Sequence, residues 1–354
     1  MRQKIRISDV AKAAGVSAAT VSAVVNNPPG SQIRVGDATR QRIWDAVHAL
    51  GYVPNPVARS LAGGKNQIIG IFTYESIFPL EYHNFYYPFL IGLEEEAQAR
   101  GYDLLLFTSA TPPGGGRSVY RQGANRLSLA DGVIFLGLNE NKEELATLVE
   151  EGYPIVFIGR RELPRGELSY TAADYAEATS AIYTHLTGLG HRQIAYLHTS
   201  VTNEAKVDRL QGYLASAAAS NAGSGLTWRI DKQVVLAERL PQWLAQGVTA
   251  FMVEDDDLGT RLLAASDALG LTAPQDFSLA VLGDPLSPRD ATPAWTTFRI
   301  PRRAMGAGAV DSSPGSSVSS RCASPGVPSV AMVRTWVSPR MNSPEPCTRG
   351  MAPT

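Results

Sequence analysis

The chain opens with two short apolar-periodic segments joined at a glycine. Over Ile7 to Asn26 it reads ISDVAKAAGVSAATVSAVVN. Val10, Ala11, Ala13 and Ala14 form the inward face of a first predicted helix, and Val21, Val24 and Val25 recur at helical spacing in a second. Ser17 stands where an N-cap belongs, with a hydroxyl to accept a free backbone N–H. Gly15 supplies the backbone angle that a tight helix–turn–helix corner needs. The outer face of the second helix carries Ser17, Ala18, Ala19, Thr20, Ser22, Ala23 and Asn26. All are small and uncharged, so this face can enter a DNA major groove without clash or repulsion. A third helix is predicted over Asp37 to Leu50, with Ile43, Ala46, Val47 and Leu50 inward and Gly51 as its stop. Between the second and third helices, Asn27-Pro28-Pro29-Gly30 is a turn.

From Tyr52 to Gly64 the pattern thins. Asn55 can cap, Pro56 suits a first helical turn, and Gly63-Gly64 ends the segment. Less than two turns of helix is too short to stand alone in water, so it orders only against a partner.

After Lys65 the period switches to strand–helix alternation. Predicted strands are Ile68 to Phe72, Tyr102 to Phe107, Gly132 to Leu136, Pro154 to Ile158, Gln193 to His198, Trp228 to Val235, Ala250 to Glu254 and Ser278 to Gly283. Predicted helices are Phe89 to Arg100, Lys142 to Glu151, Tyr175 to Leu189, Asp208 to Ser220, Leu240 to Gln246 and Leu258 to Leu269. Two βα runs imply two parallel-sheet lobes with helices on both faces. A small ligand then sits at the carboxyl ends of the strands.

The last stretch breaks the rhythm. Asp311 to Thr354 is rich in Ser, Pro, Arg and Gly, with Asp311 and Glu345 its only acids. No helix or strand period survives, so it is expected to be disordered.

Composition sharpens this picture at one place. The 354 residues carry a formal net charge of −1, with 44% apolar and 18% charged residues, enough for two or three domains with full cores. The charge is uneven: through Lys65 there are nine Lys and Arg against three Asp. A small basic head on a neutral-to-acidic body is the footprint of a nucleic-acid-binding module joined to a separate sensor. No apolar run approaches a membrane span and no signal peptide is visible, so the expected compartment is the cytoplasm. Cys322 and Cys347 form neither a metal-ligand spacing nor a disulfide framework. Asp255-Asp256-Asp257 reads as a strand-end loop rather than a metal site, because adjacent residues on a turn rarely converge on one ion. His191 reads as a turn residue. No nucleophile–base pairing and no phosphate-cradling glycine loop stands out, so neither an enzyme nor a cofactor is expected.

These residues resemble the LacI/GalR family of bacterial transcription regulators, the lactose- and purine-repressor type. The resemblance runs from about Ile7 to Val310. It rests on DVAKAAGVSAATVSAVVN (Asp9 to Asn26), ATRQRIWDAVHALGYVPNPVARSLAGG (Ala38 to Gly64) and GHRQIAYL (Gly190 to Leu197), supported by RLQGY (Arg209 to Tyr213) and TTFRIPRRAMG (Thr296 to Gly306). It implies an all-α helix-turn-helix DNA-binding head (1–51) and a hinge (52–65). An α/β two-lobe sensor of periplasmic-binding-protein type follows, with one lobe over 66–165 and 297–311 and the other over 166–296. The tail, 312–354, is off-family. The implied partners are double-stranded, pseudo-palindromic operator DNA, a small-molecule effector and a second copy of the chain, with no membrane.

On the family's pattern the base-reading positions are Ala18, Ala19 and Ala23, alanines that offer no bidentate pair. More of the specificity is then expected from backbone contacts, minor-groove reading and DNA shape. Ser17, Thr20, Ser22, Asn26 and Tyr52 are the implied phosphate contacts, while Leu61 is the implied minor-groove wedge in a segment that includes Ala58 and Arg59. Phe85, Tyr86, Arg209, Asp255 and Asp284 match effector positions, and aromatic faces, an arginine and carboxylates suit a sugar or another polyhydroxylated ligand. The family continues past Val310 with an apolar helix and a strand, which this chain replaces by SSPGSSVSSRCASPG. A frameshift near Asp311 in a GC-rich gene would produce that switch. Competing readings are a solute-binding protein without DNA function, an enzyme of the doubly wound class, and a regulator rendered inactive by the altered tail.

Overall fold

The computed structural model describes residues 5–26, 35–53, 66–75, 83–108, 116–121, 123–200, 203–220, 225–284, 295–311 and 332–333. The head is three helices, α1 (Ile7–Ala14), α2 (Ala18–Asn26) and α3 (Asp37–Leu50). Their ends are fixed locally. The Arg6 N–H donates to Asp9 Oδ2 at 2.8 Å, and the Thr20 N–H donates to Ser17 Oγ at 3.1 Å. Gly15 and Gly51 take φ of 67° and 64°, left-handed angles that close α1 and α3. Val10, Ala11, Ala14, Val21, Val24, Val25, Ile43, Ala46 and Val47 are buried together, so the head has its own core. Ala13, expected inward, is exposed: a stripe through Val10, Ala11 and Ala14 leaves it on the far side of the turn.

By contact density the chain divides into two compact units, residues 1–72 with 97–134, and residues 73–96 with 135–354. Beyond the head, the first holds the parallel pair β1 (Ile68–Phe72) and β2 (Asp103–Phe107), in register from Ile68 opposite Asp103. Asp131 anchors the start of β1 by accepting the N–H groups of Asn66 and Gln67, both at 2.7 Å. A short hairpin, β3 (Tyr120–Arg121) with β4 (Ala124–Asn125), completes it. β5 (Gly132–Leu136) is buried along its whole length, as a strand covered on both faces must be.

The second unit contains α4 (His83–Ala99), α5 (Lys142–Glu150), β6 (Ile155–Ile158), β7 (Ser169–Thr171), α6 (Tyr175–Gly188), β8 (Ile194–His198), α7 (Glu204–Ala219), β9 (Leu226–Arg229), α8 (Leu236–Ala245), β10 (Ala250–Val253), α9 (Asp256–Ala268), β11 (Ser278–Val281), β12 (Thr297–Phe298) and α10 (Arg302–Asp311). The larger sheet runs β2-β1-β5-β6-β7 and the smaller β11-β10-β8-β9, with parallel pairing throughout the smaller one. Close backbone packing seats α10. A Cβ on Gly92 of α4 would overlap the Arg303 carbonyl, and one on Gly306 would overlap the Phe89 carbonyl. Only glycine permits so near an approach of two helices.

Four sequence-based boundaries shift. α4 begins at His83, not Phe89, and carries Pro88; α8 begins at Leu236, not Leu240, and carries Pro241. In both helices the proline is the sixth residue, past the first turn, so each helix forgoes the one backbone bond that the missing N–H would have made. α7 begins at Glu204 because Asn203 Oδ1 accepts the Lys206 N–H at 3.0 Å. The strand expected over Trp228 to Val235 is β9, Leu226–Arg229, set by its pairing with β8. In the tail, Met332–Val333 (β13) pairs antiparallel with β12, correcting the expectation of no strand there.

Candidate functional site

Two separate features carry the chemistry. The first is the outer face of α2. Ser17, Ala18 and Ala19 are exposed, and Thr20, Ser22 and Ala23 are half-buried beside the valines that hold the helix to the core. The Ser17 and Thr20 hydroxyls lie 2.8 Å apart, so each is held in place. Tyr52 is half-buried against the head core. The side chain of Asn26 and all of Ala58, Arg59 and Leu61 lie outside the described residues.

The second is a cavity of about 750 Å³ in the larger unit. Its wall is built from strand ends and helix starts: Gly137 and Leu138 after β5, Gly159 after β6, Glu254 after β10, Gly283 and Asp284 after β11, with the first turns of α7, α9 and α10. This is where parallel-sheet folds place ligands. Phe85, Tyr86, Arg209, Asp255 and Asp284 all lie on this wall.

Each of these five already has a structural partner, and the Phe85 ring packs edge-on against Tyr86 and Phe89. Tyr86 is buried and its hydroxyl donates to Glu75, which also accepts from the Leu138 N–H and from Asn139 Nδ2 at 2.6 Å. Asp255 caps α9 by accepting the Leu258 N–H at 2.9 Å. The Arg209 guanidinium lies 4.6 Å from the Tyr175 ring, a cation–π distance. Asp284 accepts from the Ile300 N–H at 2.9 Å and from Arg302 Nη1 at 2.7 Å.

The sequence reading missed several wall residues. Arg302 is 8% exposed and sits 5.4 Å over Phe85. Arg161 donates to Glu140 at 2.9 Å and lies over Phe157. Lys206 pairs with Glu254 at 2.8 Å, and Glu254 also accepts from the N–H and hydroxyl of Thr199. Two of these sat next to recognised residues: Glu254 precedes Asp255, and Arg302 lies inside TTFRIPRRAMG. His191, read as a turn residue, follows the turn at Gly190 ahead of β8 and is buried, with Nδ1 2.9 Å from Thr249 Oγ1.

A second ionic cluster adjoins the cavity. Lys142 Nζ and the Glu162 N–H both donate to Glu204 Oε1, at 2.7 and 3.1 Å, and Arg160 grips Asp208 through two nitrogens. Burial pushes the Glu204 carboxyl up, but the Lys142 bond and the backbone donors outweigh it, so its pKa falls below the ordinary value. A lowered carboxyl contributes stability above the ordinary carboxylate range and loses it as pH falls through the lowered value. Glu204→Gln is therefore expected to lower Tm at pH 7 by about 2–4 °C, and by much less in acid below the carboxylate range. Melts of both proteins at the two pH values check this.

Among the described residues no group of His, Cys, Asp and Glu side chains is arranged to hold a metal ion. Nor, among them, is any helix long and apolar enough to cross a membrane.

Comparison with known proteins gives consistent matches. Residues 6–55 match the family described as bacterial regulatory proteins, lacI family, and residues 183–312 match a periplasmic binding protein-like domain. The HTH-type transcriptional regulator CelR of Thermobifida fusca is 29% identical, covering 86% of this chain and 89% of its own. The HTH-type transcriptional repressor PurR of Edwardsiella ictaluri is 28% identical, covering 86% and 88%. Among solved structures, a CelR–cellobiose complex aligns at 27% identity with a TM-score of 0.52, covering 86% of this chain and 91% of that one.

Proposed function

The chain belongs to the LacI family of bacterial regulatory proteins, and on that premise we propose that it is a cytoplasmic, homodimeric repressor without catalytic activity, binding a pseudo-palindromic operator and answering to a sugar or related polar metabolite. The observation that carries this reading is the outer face of α2. A helix held from behind by its own small core presents Ser17, Ala18 and Ala19 to solvent with no charge among them. Such a face suits the floor of a major groove, where a phosphate-lined channel repels acids and bulk blocks entry. Ser17, Thr20, Ser22, Asn26 and Tyr52 take the backbone contacts in this reading, and Leu61, with Ala58 and Arg59 beside it, wedges the central step from the minor groove. Phe85, Tyr86, Arg209, Asp255 and Asp284 form the effector site, supported by their common placement on one polar cavity. Ligand and operator are coupled because each favours one of two conformations, which makes the coupling reciprocal.

Operator selection from random duplex DNA, using the purified full chain at about 0.1 M salt, tests the proposal. The expected result is enrichment of two half-sites related by two-fold symmetry, about one helical turn apart. Enrichment of no symmetric site, with only salt-sensitive bulk binding, overturns it.

A further inference from the structure

Resting on the effector site just assigned, we propose that the ligand is an anionic sugar derivative, a sugar acid or a sugar phosphate, whose acidic group is taken jointly by Arg209 and Arg302. Both guanidinium groups converge on one two-residue turn. Arg209 Nη2 lies 3.2 Å from where a Cβ on Gly283 would sit, a tight approach, and the φ of 109° at Gly283 is one that a side chain would strain. Arg302 pairs with the next residue, Asp284. Each lies over an aromatic ring, Arg209 4.6 Å from Tyr175 and Arg302 5.4 Å from Phe85. These contacts help to position both groups before a ligand arrives.

Their hydrogen-bonding capacity is largely unspent. Arg209 bonds the Glu254 carbonyl at a long 3.4 Å, and it forms no ion pair among the described residues. The Nε–H groups of Arg209 and Arg302 are both buried without an acceptor. A guanidinium carries only donors, and buried donors without acceptors are costly. The acceptors on the wall are committed elsewhere. Glu75 takes three donors, Glu254 takes Thr199 and Lys206, Glu140 takes Arg161, and Asp255 caps a helix. What the wall lacks is acceptor, although acidic side chains outnumber basic ones around it. A carboxylate or phosphate supplies acceptors in the planar geometry that a guanidinium fork matches.

The test uses the purified full chain and five probes: gluconate, glucuronate, glucose 6-phosphate, glucose and cellobiose, read by thermal shift and by release or tightening on the selected operator. At least one acidic probe is expected to raise Tm by several degrees where both neutral sugars do not, and the carboxylate and phosphate arms separate the two sources of charge. Arg302→Gln is expected to weaken the acidic probe at least tenfold. Asp284→Asn, which leaves Arg302 without its counter-charge, is expected to strengthen it. A purely structural role for the pair would move both variants the same way, and that outcome overturns the proposal. So does a response to neutral sugars alone, or to none of the acidic probes. Operator binding by the same preparation without ligand stands apart: its loss would sink the regulator reading, whereas its persistence beside a neutral-sugar response sinks only this one.

Discussion

Ala19→Glu is expected to cut affinity for the selected operator by at least ~100-fold, about 2.7 kcal/mol, while leaving the thermal melt unchanged or slightly raised. The two halves of this prediction come from one position. Ala19 is an exposed residue in the first turn of α2, and the head core contacts that helix through Val21, Val24 and Val25. A carboxylate in the first turn of a helix is favoured by the free N–H groups there. The substitution therefore does not unfold the head. In a groove lined by phosphates the same carboxylate is repelled and desolvated. Fluorescence anisotropy at two salt concentrations, beside a melt of each protein, separates the effects. Ala19→Gln is the neutral control, expected to bind operator far better than the glutamate and to shift base preference toward adenine at the facing position. If Ala19→Glu binds as the parent does, α2 does not enter the groove.

On the proposed reading Ala18, Ala19 and Ala23 face the bases, where they can touch a thymine methyl and little else. Discrimination would then rest on backbone positioning and on how readily the operator deforms. The head core, where Val10, Val21 and Ile43 are essentially inaccessible to solvent, supplies the rigid support such positioning demands.

How far the chain could be read in advance varied with the range of the interactions. The head was legible because its determinants are local: Ser17 caps three residues ahead, Gly15 and Gly51 close their own helices, and the valine stripe has helical period. The strand cores were legible because Gly132–Leu136 and Ala250–Val253 are continuous apolar runs. Pro88 and Pro241 masked the true starts of α4 and α8, since proline usually marks a boundary rather than the interior. β7 and the β3/β4 hairpin escaped notice because two or three residues carry no period. The cavity divides in the same way. Family resemblance pointed to Phe85, Tyr86, Arg209, Asp255 and Asp284. Arg161, Lys206 and Arg302 come from separate elements and meet only in three dimensions, so no spacing along the chain announces them.

Restoring one base near codon 311 is expected to raise Tm by at least about 10 °C, the largest stability change among these predictions. α10 packs on β6 and β7 and buries Arg302, Met305, Gly306, Ala309 and Val310, a stripe at helical spacing that is still apolar where the helix ends at Asp311. The family match stops at residue 312. The stripe's next positions hold serine pairs: Ser312-Ser313, Ser316-Ser317 and Ser319-Ser320. A serine codon of the TCN type, read one base upstream, becomes NTC, and NTC encodes Phe, Leu, Ile or Val whatever its first base. If all six serines are of the TCN type, the three pairs turn apolar in that frame and would prolong the buried face of α10 for more than two turns. Burying even four such side chains contributes roughly 6 kcal/mol, and about 1 kcal/mol moves Tm by 2–4 °C in a unit of this size. Sequencing the coding DNA is the first check, because AGY serines at these positions would give polar residues or stops in the shifted frame and end the idea. The melt of the restored chain beside the present one is the second. A restored chain that melts at the same temperature would mean that Val310 is where the apolar face of α10 properly ends.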